Sequence, residues 1–297
     1  MKPSLSWDAQ VSLLQRRGLV ISDVMACRAF LAATNYYRFS GYARYFQQAP
    51  HLGDDSFRAG ATFDVIRTIY EADTALRSAL AGSLAHAEVL LRAHTAYVVA
   101  QQFGPCSYLD DGFYTDAGSH GSPLEACVRD IERSRERHIL HFASSGPLGP
   151  AFTELPIWSA VDAWSFGTLS RCIEQGAQGQ LADAVATSLG LARAGFSYRV
   201  RSLVYLRNRC AHHSRLWHHS VVDAGPTPHN VRTKAKRAAG QFEPRSMLDV
   251  VASLDDAVAR GGGFARILPV LVDEYAAEPV FWEGLTHPRS PRDHVRE

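Results

Sequence analysis

The residues best suited to take part in a chemical reaction are an arginine, an asparagine and two histidines that lie close together at positions 207–213. They fall in a segment, 196–217, whose apolar residues recur at helical spacing, so the pattern predicts a largely buried helix. Burying cations and polar groups costs free energy unless they are paired or hydrogen-bonded. Proteins often keep such groups where they perform chemistry.

Histidine, arginine and asparagine together suit the cleavage of RNA without a metal ion. A histidine titrates near neutral pH and can serve as a general base or acid, while an arginine binds phosphate through a bidentate fork. With these groups the ribose 2′-hydroxyl could attack the adjacent phosphorus, and the arginine would stabilise the charge that develops there. The product would carry a 2′,3′-cyclic phosphate.

Spacing alone leaves two interpretations of this segment open. Asn208 and His212 are four residues apart and are expected on one helix face, whereas Arg207 is about 140° away from His212 around the helix. The arginine would reach the histidine's face only at its edge, or in a cleft formed with a second subunit. A structural cluster of satisfied polar groups is the alternative to a catalytic site.

Four histidines within eight positions also raise the question of a metal site: His212, His213, His218 and His219. Carboxylates or cysteines at complementary spacing are lacking, since only Asp223 and Cys210 lie nearby. We therefore predict no metal and no cofactor. The five cysteines show no CxxC spacing, which favours reduced, buried thiols over disulfides or thiolate zinc sites.

The composition is that of an ordinary globular protein. The chain has 297 residues, is 46% hydrophobic and carries a formal net charge of +1, so it can bury a sizeable core. Its overall charge neither indicates nor excludes a nucleic-acid partner, because local patches decide that. We find no signal peptide and no apolar stretch that could span a bilayer, so we expect a cytoplasmic protein that does not enter a membrane.

Helical periodicity dominates the chain, and we predict an all-α fold. The strongest helix pattern covers residues 63–99 and places Glu88 and Arg92 four residues apart, where they can face each other. If these two residues lie on the core side of the helix, Glu88 is also a candidate partner for a buried arginine elsewhere in the chain. We divide the chain into an N-terminal helical region at 1–50, a helical domain at 60–220, a basic loop at 221–246 and closing helices at 247–285 that complete the same domain.

Three groups of aromatic and basic residues are candidates for RNA binding. The first is an aromatic-rich segment with Tyr36, Tyr37 and Arg38, which suits stacking on unpaired bases, although core packing is the simpler interpretation. The second is a charged helix predicted at 124–142, where a solvated face is the alternative to phosphate contacts. From this helix we select Arg133 and Arg137. The third group is the basic loop, from which we select Lys234, Lys236 and Arg237.

The string of Arg207 and Asn208, followed after three residues by His212, matches the RNxxxH form of the motif of HEPN nucleases. Its surroundings resemble the Abi-type (abortive infection) branch of that superfamily. The resemblance extends in order over roughly residues 5–217, at segments 10–19, 35–42, 63–64, 88–92, 156–158, 166–167 and 206–217.

This resemblance implies a HEPN-like helical bundle that cleaves RNA without a metal, often as a homodimer with two motifs facing one cleft. It assigns His212 as the catalytic acid/base, Arg207 as the phosphate ligand and Asn208 as the orienting residue. Glu88, Arg92 and His213 would support them. It further implies a toxin-like role in phage defence and association with a small non-coding RNA. A non-catalytic RNA-binding or regulatory protein of the same fold is the alternative.

Overall fold

A computed structural model describes residues 4–115, 121–146, 149–221, 225 and 227–290 of the chain. These residues are predominantly helical, which confirms the predicted all-α class. The helices are α1 (Trp7–Arg16), α2 (Val24–Thr34), α3 (Tyr36–Ala43), α4 (Phe63–Gln102), α5 (Pro123–Arg133), α6 (Arg137–Leu140), α7 (Ile157–Ala160), α8 (Phe166–Gln175), α9 (Leu181–Ser188), α10 (Phe196–Ala211), α11 (His229–Ala239), α12 (Met247–Gly262), α13 (Leu268–Tyr275) and α14 (Pro279–Thr286).

The long helix α4 is the centre of the fold. Its 40 residues span about 60 Å at 1.5 Å per residue. The Thr62 hydroxyl caps its first turn by accepting a hydrogen bond from the Val65 amide at 3.2 Å. The helix contacts α3, α7, α8, α9, α10 and α12, because buried side chains repeat along it every three or four residues. The prediction of a helix over 63–99 is confirmed, and the helix itself continues to Gln102.

The N-terminal helices pack through aromatic side chains. The ring of Phe30 makes edge-on contacts with Phe39, Phe63 and Tyr70, at centroid distances of 5.1–5.9 Å. Core packing is therefore the right interpretation for Phe39, which is fully buried, whereas Tyr37 is 76% exposed.

Two short antiparallel hairpins interrupt the helices, although the sequence shows no strand pattern. They are β1 (Gln47–Ala49) with β2 (Asp54–Phe57), and β3 (Ser144–Gly146) with β4 (Gly149–Ala151). Strands of three or four residues are too short to show an alternating pattern of apolar and polar side chains. They leave the helical class unchanged.

The predicted basic loop at 221–246 is wrong for its central part, because residues 229–239 form α11. Few apolar residues mark this helix, and buried Ala235 and Ala239 provide its packing face. Arg232 fixes it by donating two hydrogen bonds of 2.9 Å to the carboxylate of Asp249 on α12. An ion pair between distant segments leaves no periodic signal in the sequence, so the helix was missed.

The predicted helix at 124–142 is likewise divided, into α5 and α6, since residues 134–136 are not helical. The Ser134 hydroxyl accepts a hydrogen bond from the Glu136 amide at 3.2 Å, which is a local turn that competes with helix formation. Arg133 and Arg137 therefore lie on different helices, and both are exposed.

The C-terminal helices complete the same hydrophobic core. α12 contacts both α4 and α10, and α14 packs on the buried ring of Trp217. A Cβ atom at Gly284 would lie 2.1 Å from Trp217 Nε1, so only glycine allows this approach. Among the helices described, none is long and apolar enough to cross a membrane.

The prediction of buried thiols is confirmed for four of the cysteines: Cys27, Cys127, Cys172 and Cys210. Cys106 is partly buried, and no two of the five are joined by a disulfide.

Candidate functional site

α10 carries the predicted catalytic residues at its C-terminal end. Its buried face, which includes Phe196, Val200, Leu203 and Leu206, packs on α4, α8 and α12. The helix contains four arginines and no acidic residue. It ends at Ala211 rather than at 217 as predicted, so His212 is its C-cap and not a helical residue.

The chain leaves α10 through a left-handed residue at His213, whose φ is 53°. The Ser214 amide donates to the Arg209 carbonyl at 2.8 Å, and the His213 amide donates to the Cys210 carbonyl at 3.1 Å. This is the Schellman pattern, in which glycine usually occupies the left-handed position. A histidine there costs about 1–2 kcal/mol in backbone strain. We call residues 212–217 the motif turn.

Arg207 is held by groups from three helices, α4, α8 and α10. Its Nε lies 3.3 Å from Glu88 Oε2, an ion pair without good hydrogen-bond alignment, and its Nη1 donates to Asn208 Oδ1 at 2.9 Å. Its guanidinium also lies over the Phe166 ring, 5.5 Å from the centroid. The side chain is still 32% exposed. Asn208 thus orients the arginine directly.

Glu88 links α4 to α10: it does pair with an arginine from another segment, as predicted, but Arg207 is partly exposed rather than buried. Its Oε1 accepts a hydrogen bond of 2.5 Å from Arg92 Nη2, while Oε2 faces Arg207. Arg92 is fixed in turn, because it donates to the Trp164 carbonyl at 2.7 Å and to the Val161 carbonyl. Both supporting residues on α4 therefore position Arg207.

An open cleft of about 470 Å³ lies between α4 and α10, and we call it the motif cleft. Arg207, Glu88 and His213 line it, together with Arg77 and smaller residues of both helices. His212 is exposed and lies beside these lining residues rather than among them. Its imidazole makes no hydrogen bond or ion pair within the described part of the chain, so it is open to an incoming group.

A buried carboxylate that sequence reasoning missed holds the motif turn. Asp73 of α4 is 0% exposed and accepts hydrogen bonds from the Leu216 amide at 3.2 Å and the Trp217 amide at 2.9 Å. It also accepts from the Tyr42 hydroxyl and from Arg77. Burial raises the pKa of Tyr42, so this phenol stays a donor. Asp73 stands in the apolar register of α4, and that irregularity was the available signal.

Three arginines bind the motif turn and its neighbours through backbone carbonyls. Arg38 donates to the His213 carbonyl, Arg209 Nε donates to the Arg215 carbonyl at 3.1 Å, and Arg215 Nη1 donates to the Gly41 carbonyl at 2.6 Å. None of the three has a carboxylate partner in the described ranges. The end of α10 therefore carries uncompensated positive charge.

The other predicted RNA-binding residues are scattered. Tyr36 is partly buried and accepts a hydrogen bond of 3.1 Å from Arg17 Nη1. The Lys236 ammonium lies over the Phe242 ring at 5.3 Å. Arg133, Arg137, Lys234, Lys236 and Arg237 lie on α5, α6 and α11. No described contact joins these five to residues 207–213, so of the predicted RNA-binding residues only Arg38 reaches the motif turn.

Histidines, cysteines and carboxylates do not cluster as metal ligands within the described residues: no group of three or more is arranged to hold an ion. The ionisable side chains that line the motif cleft are those of Arg77, Glu88, Arg207, Cys210 and His213.

A family model described as Abi-like protein matches residues 29–218, about two thirds of the chain. The chain belongs to the Abi-like protein family. The matched region of this Abi-like chain begins inside α2, contains both α4 and α10, and ends immediately after the motif turn. Helices α11–α14 lie outside it. No curated protein and no solved structure matches the chain significantly.

Proposed function

We propose that this Abi-like protein is a metal-independent endoribonuclease of the HEPN type that acts in abortive infection, a toxin-like defence against phage in the cytoplasm. The observation that carries the proposal is the geometry at the end of α10. There, a partly exposed arginine oriented by Glu88 and Asn208 opens on the motif cleft, and the same helix ends at an exposed and unengaged histidine, His212. The resemblance of residues 207–212 to the HEPN motif and the family name support it.

The reaction needs only the side chains of the chain and the RNA itself. The imidazole of His212 takes the proton of a ribose 2′-hydroxyl, and the 2′-oxygen forms a bond to the adjacent phosphorus. The bond from phosphorus to the 5′-oxygen breaks, and that oxygen takes a proton from the imidazolium of His212. Arg207 stabilises the negative charge on the phosphoryl oxygens. The products are a 2′,3′-cyclic phosphate and a 5′-hydroxyl.

A homodimer is part of the proposal, because Arg207 and His212 diverge within one chain. Arg207 faces Glu88 inside the motif cleft, whereas His212 caps the helix outside its lining. In a two-fold dimer the arginine of one chain and the histidine of the other could face the same phosphate. RNA is the substrate, and a small non-coding RNA is a proposed partner.

Purified protein should cut RNA in the presence of EDTA and leave cyclic-phosphate ends. We expect His212→Ala and Arg207→Ala each to reduce the rate by about 100-fold or more, because each removes one group from the transition state. Gel assays of a labelled RNA would measure this, with circular dichroism to confirm folding. Variants that retain the wild-type rate would contradict the proposal.

One observation favours the alternative, a non-catalytic RNA-binding protein. Arg207 already has an anionic partner in Glu88, which weakens its attraction for phosphate. Salt-dependent RNA binding by the wild type and by His212→Ala, with no cleavage products from either, would support that alternative.

A further inference from the structure

The face of α10 opposite the motif cleft carries a pair of aromatic rings that the proposed function does not use. Tyr205 is 38% exposed, and its hydroxyl lies 2.6 Å from His219 Nε2. The two rings are within 9° of parallel, with centroids 5.6 Å apart. The hydrogen bond therefore holds the two rings nearly parallel, and we call this pair the Tyr205–His219 platform.

Neighbouring groups determine the protonation of this platform. Arg209 Nη1 donates to the Tyr205 hydroxyl at 3.3 Å, so the phenolic proton is directed to His219 Nε2. Burial, with Arg209 and Arg215 close by, lowers the pKa of His219 to about 4. The imidazole is thus neutral near pH 7, and both rings present uncharged aromatic faces.

The platform is placed along the same side of α10 as the predicted catalytic histidine. Tyr205 and His212 are seven residues apart, which is about two turns and about 10 Å along the helix axis. Asn208 lies between them on that side. A strand of RNA whose phosphate meets His212 could therefore lay a neighbouring base on Tyr205.

The charge around the platform favours a polyanion over a second copy of the chain. Arg209 lies over the Tyr205 ring at 5.7 Å, and neither Arg209 nor Arg215 has a carboxylate partner within the described ranges. Two copies of this surface placed against each other would bring like charges together. Aromatic rings interleaved with arginines instead match the bases and phosphates of single-stranded nucleic acid.

We propose that the Tyr205–His219 platform is a binding subsite for an unpaired base of the RNA, adjacent to the phosphate that meets His212. The subsite rests on the proposed function for its place along the RNA. It can nevertheless be tested by binding alone, because stacking needs no cleavage.

The test uses His212→Ala protein, which should hold RNA uncut, and a labelled unstructured oligoribonucleotide followed by fluorescence anisotropy. Adding Tyr205→Ala should raise the Kd by about fivefold or more, since one stacked base contributes at least roughly that factor. Tyr205→Phe keeps the ring and should bind within about twofold of the parent. Tyr97→Ala removes an exposed tyrosine of α4 outside the motif cleft and serves as the matched control.

An unchanged Kd for the Tyr205→Ala protein would overturn the subsite, and so would a loss of affinity equal to that of the Tyr97→Ala control. A change of oligomeric state in size-exclusion chromatography would also overturn it, by assigning this face to a second copy. Failure of the proposed function looks different: the wild type would cut no RNA, whether or not Tyr205→Ala weakens binding.

Discussion

At the scale of single residues, His213 combines a strained backbone with a place in the lining of the motif cleft. It occupies the left-handed position after α10, a conformation that only glycine adopts without steric cost. Its side chain also lines the motif cleft. Strained backbone conformations persist where the surrounding structure requires them, often at functional sites. The strain at His213 is therefore consistent with its proposed supporting role.

His213→Gly should stabilise the fold by about 1 kcal/mol because it removes the left-handed strain. It should also slow RNA cleavage, because the imidazole is lost from the motif cleft. Urea denaturation and the gel assay would measure the two effects. Gly263 provides the opposite control: it ends α12 with φ at 68° and has open space around it, so Gly263→Ala should lower stability by a similar amount. A His213→Gly protein less stable than wild type would contradict this account.

At the scale of elements, Asp73 joins three segments that are distant in the sequence. Its carboxylate binds Tyr42 of α3, Arg77 of α4 and two amides of the motif turn. A buried charge with this many donors is stable only as a set, since removing one member leaves others unpaired.

Asp73→Ala should therefore lower the free energy of unfolding by about 3–5 kcal/mol, because it leaves the Arg77 guanidinium buried without a counter-charge. Tyr42→Phe removes a single hydrogen bond and should cost only about 1 kcal/mol. Urea denaturation of both variants gives the comparison. Equal losses of stability in the two proteins would show that the network is not organised around Asp73.

The same elements show what could be predicted from sequence and why the rest could not. α4 and α10 were predicted because long, regular apolar spacing reports a helix that packs on a core. Helical spacing makes Glu88 a candidate partner for an arginine only if it lies on the core side, and the structure places it against Arg207 with its side chain 19% exposed. The motif turn, α11 and the Asp73 network depend on contacts between segments far apart in the chain. Local periodicity cannot report such contacts.

At the scale of the whole molecule, the proposed dimer makes a prediction that the single variants cannot test. A dimer of two Arg207→Ala chains, or of two His212→Ala chains, has lost one catalytic group from each of its two sites. A mixed dimer of one chain of each kind would keep one site in which both Arg207 and His212 are present. Mixing the two inactive proteins should restore roughly a quarter of wild-type cleavage if subunits exchange in a two-fold dimer. Co-expression with two affinity tags would isolate the mixed dimer. An inactive mixed dimer would place Arg207 and His212 of one site in the same chain.

The packing of α14 against the motif turn has a consequence for how the protein is made. The His218 amide donates to the Gly284 carbonyl at 2.9 Å, and Trp217 Nε1 donates to the Val280 carbonyl at 3.2 Å, so α14 supports the end of the turn. A ribosome adding 5–20 residues per second needs roughly 3–13 s to travel from residue 217 to residue 284. During that interval the emerging chain lacks the support that fixes its motif turn. The motif turn would thus gain this support only after α14 has been synthesised.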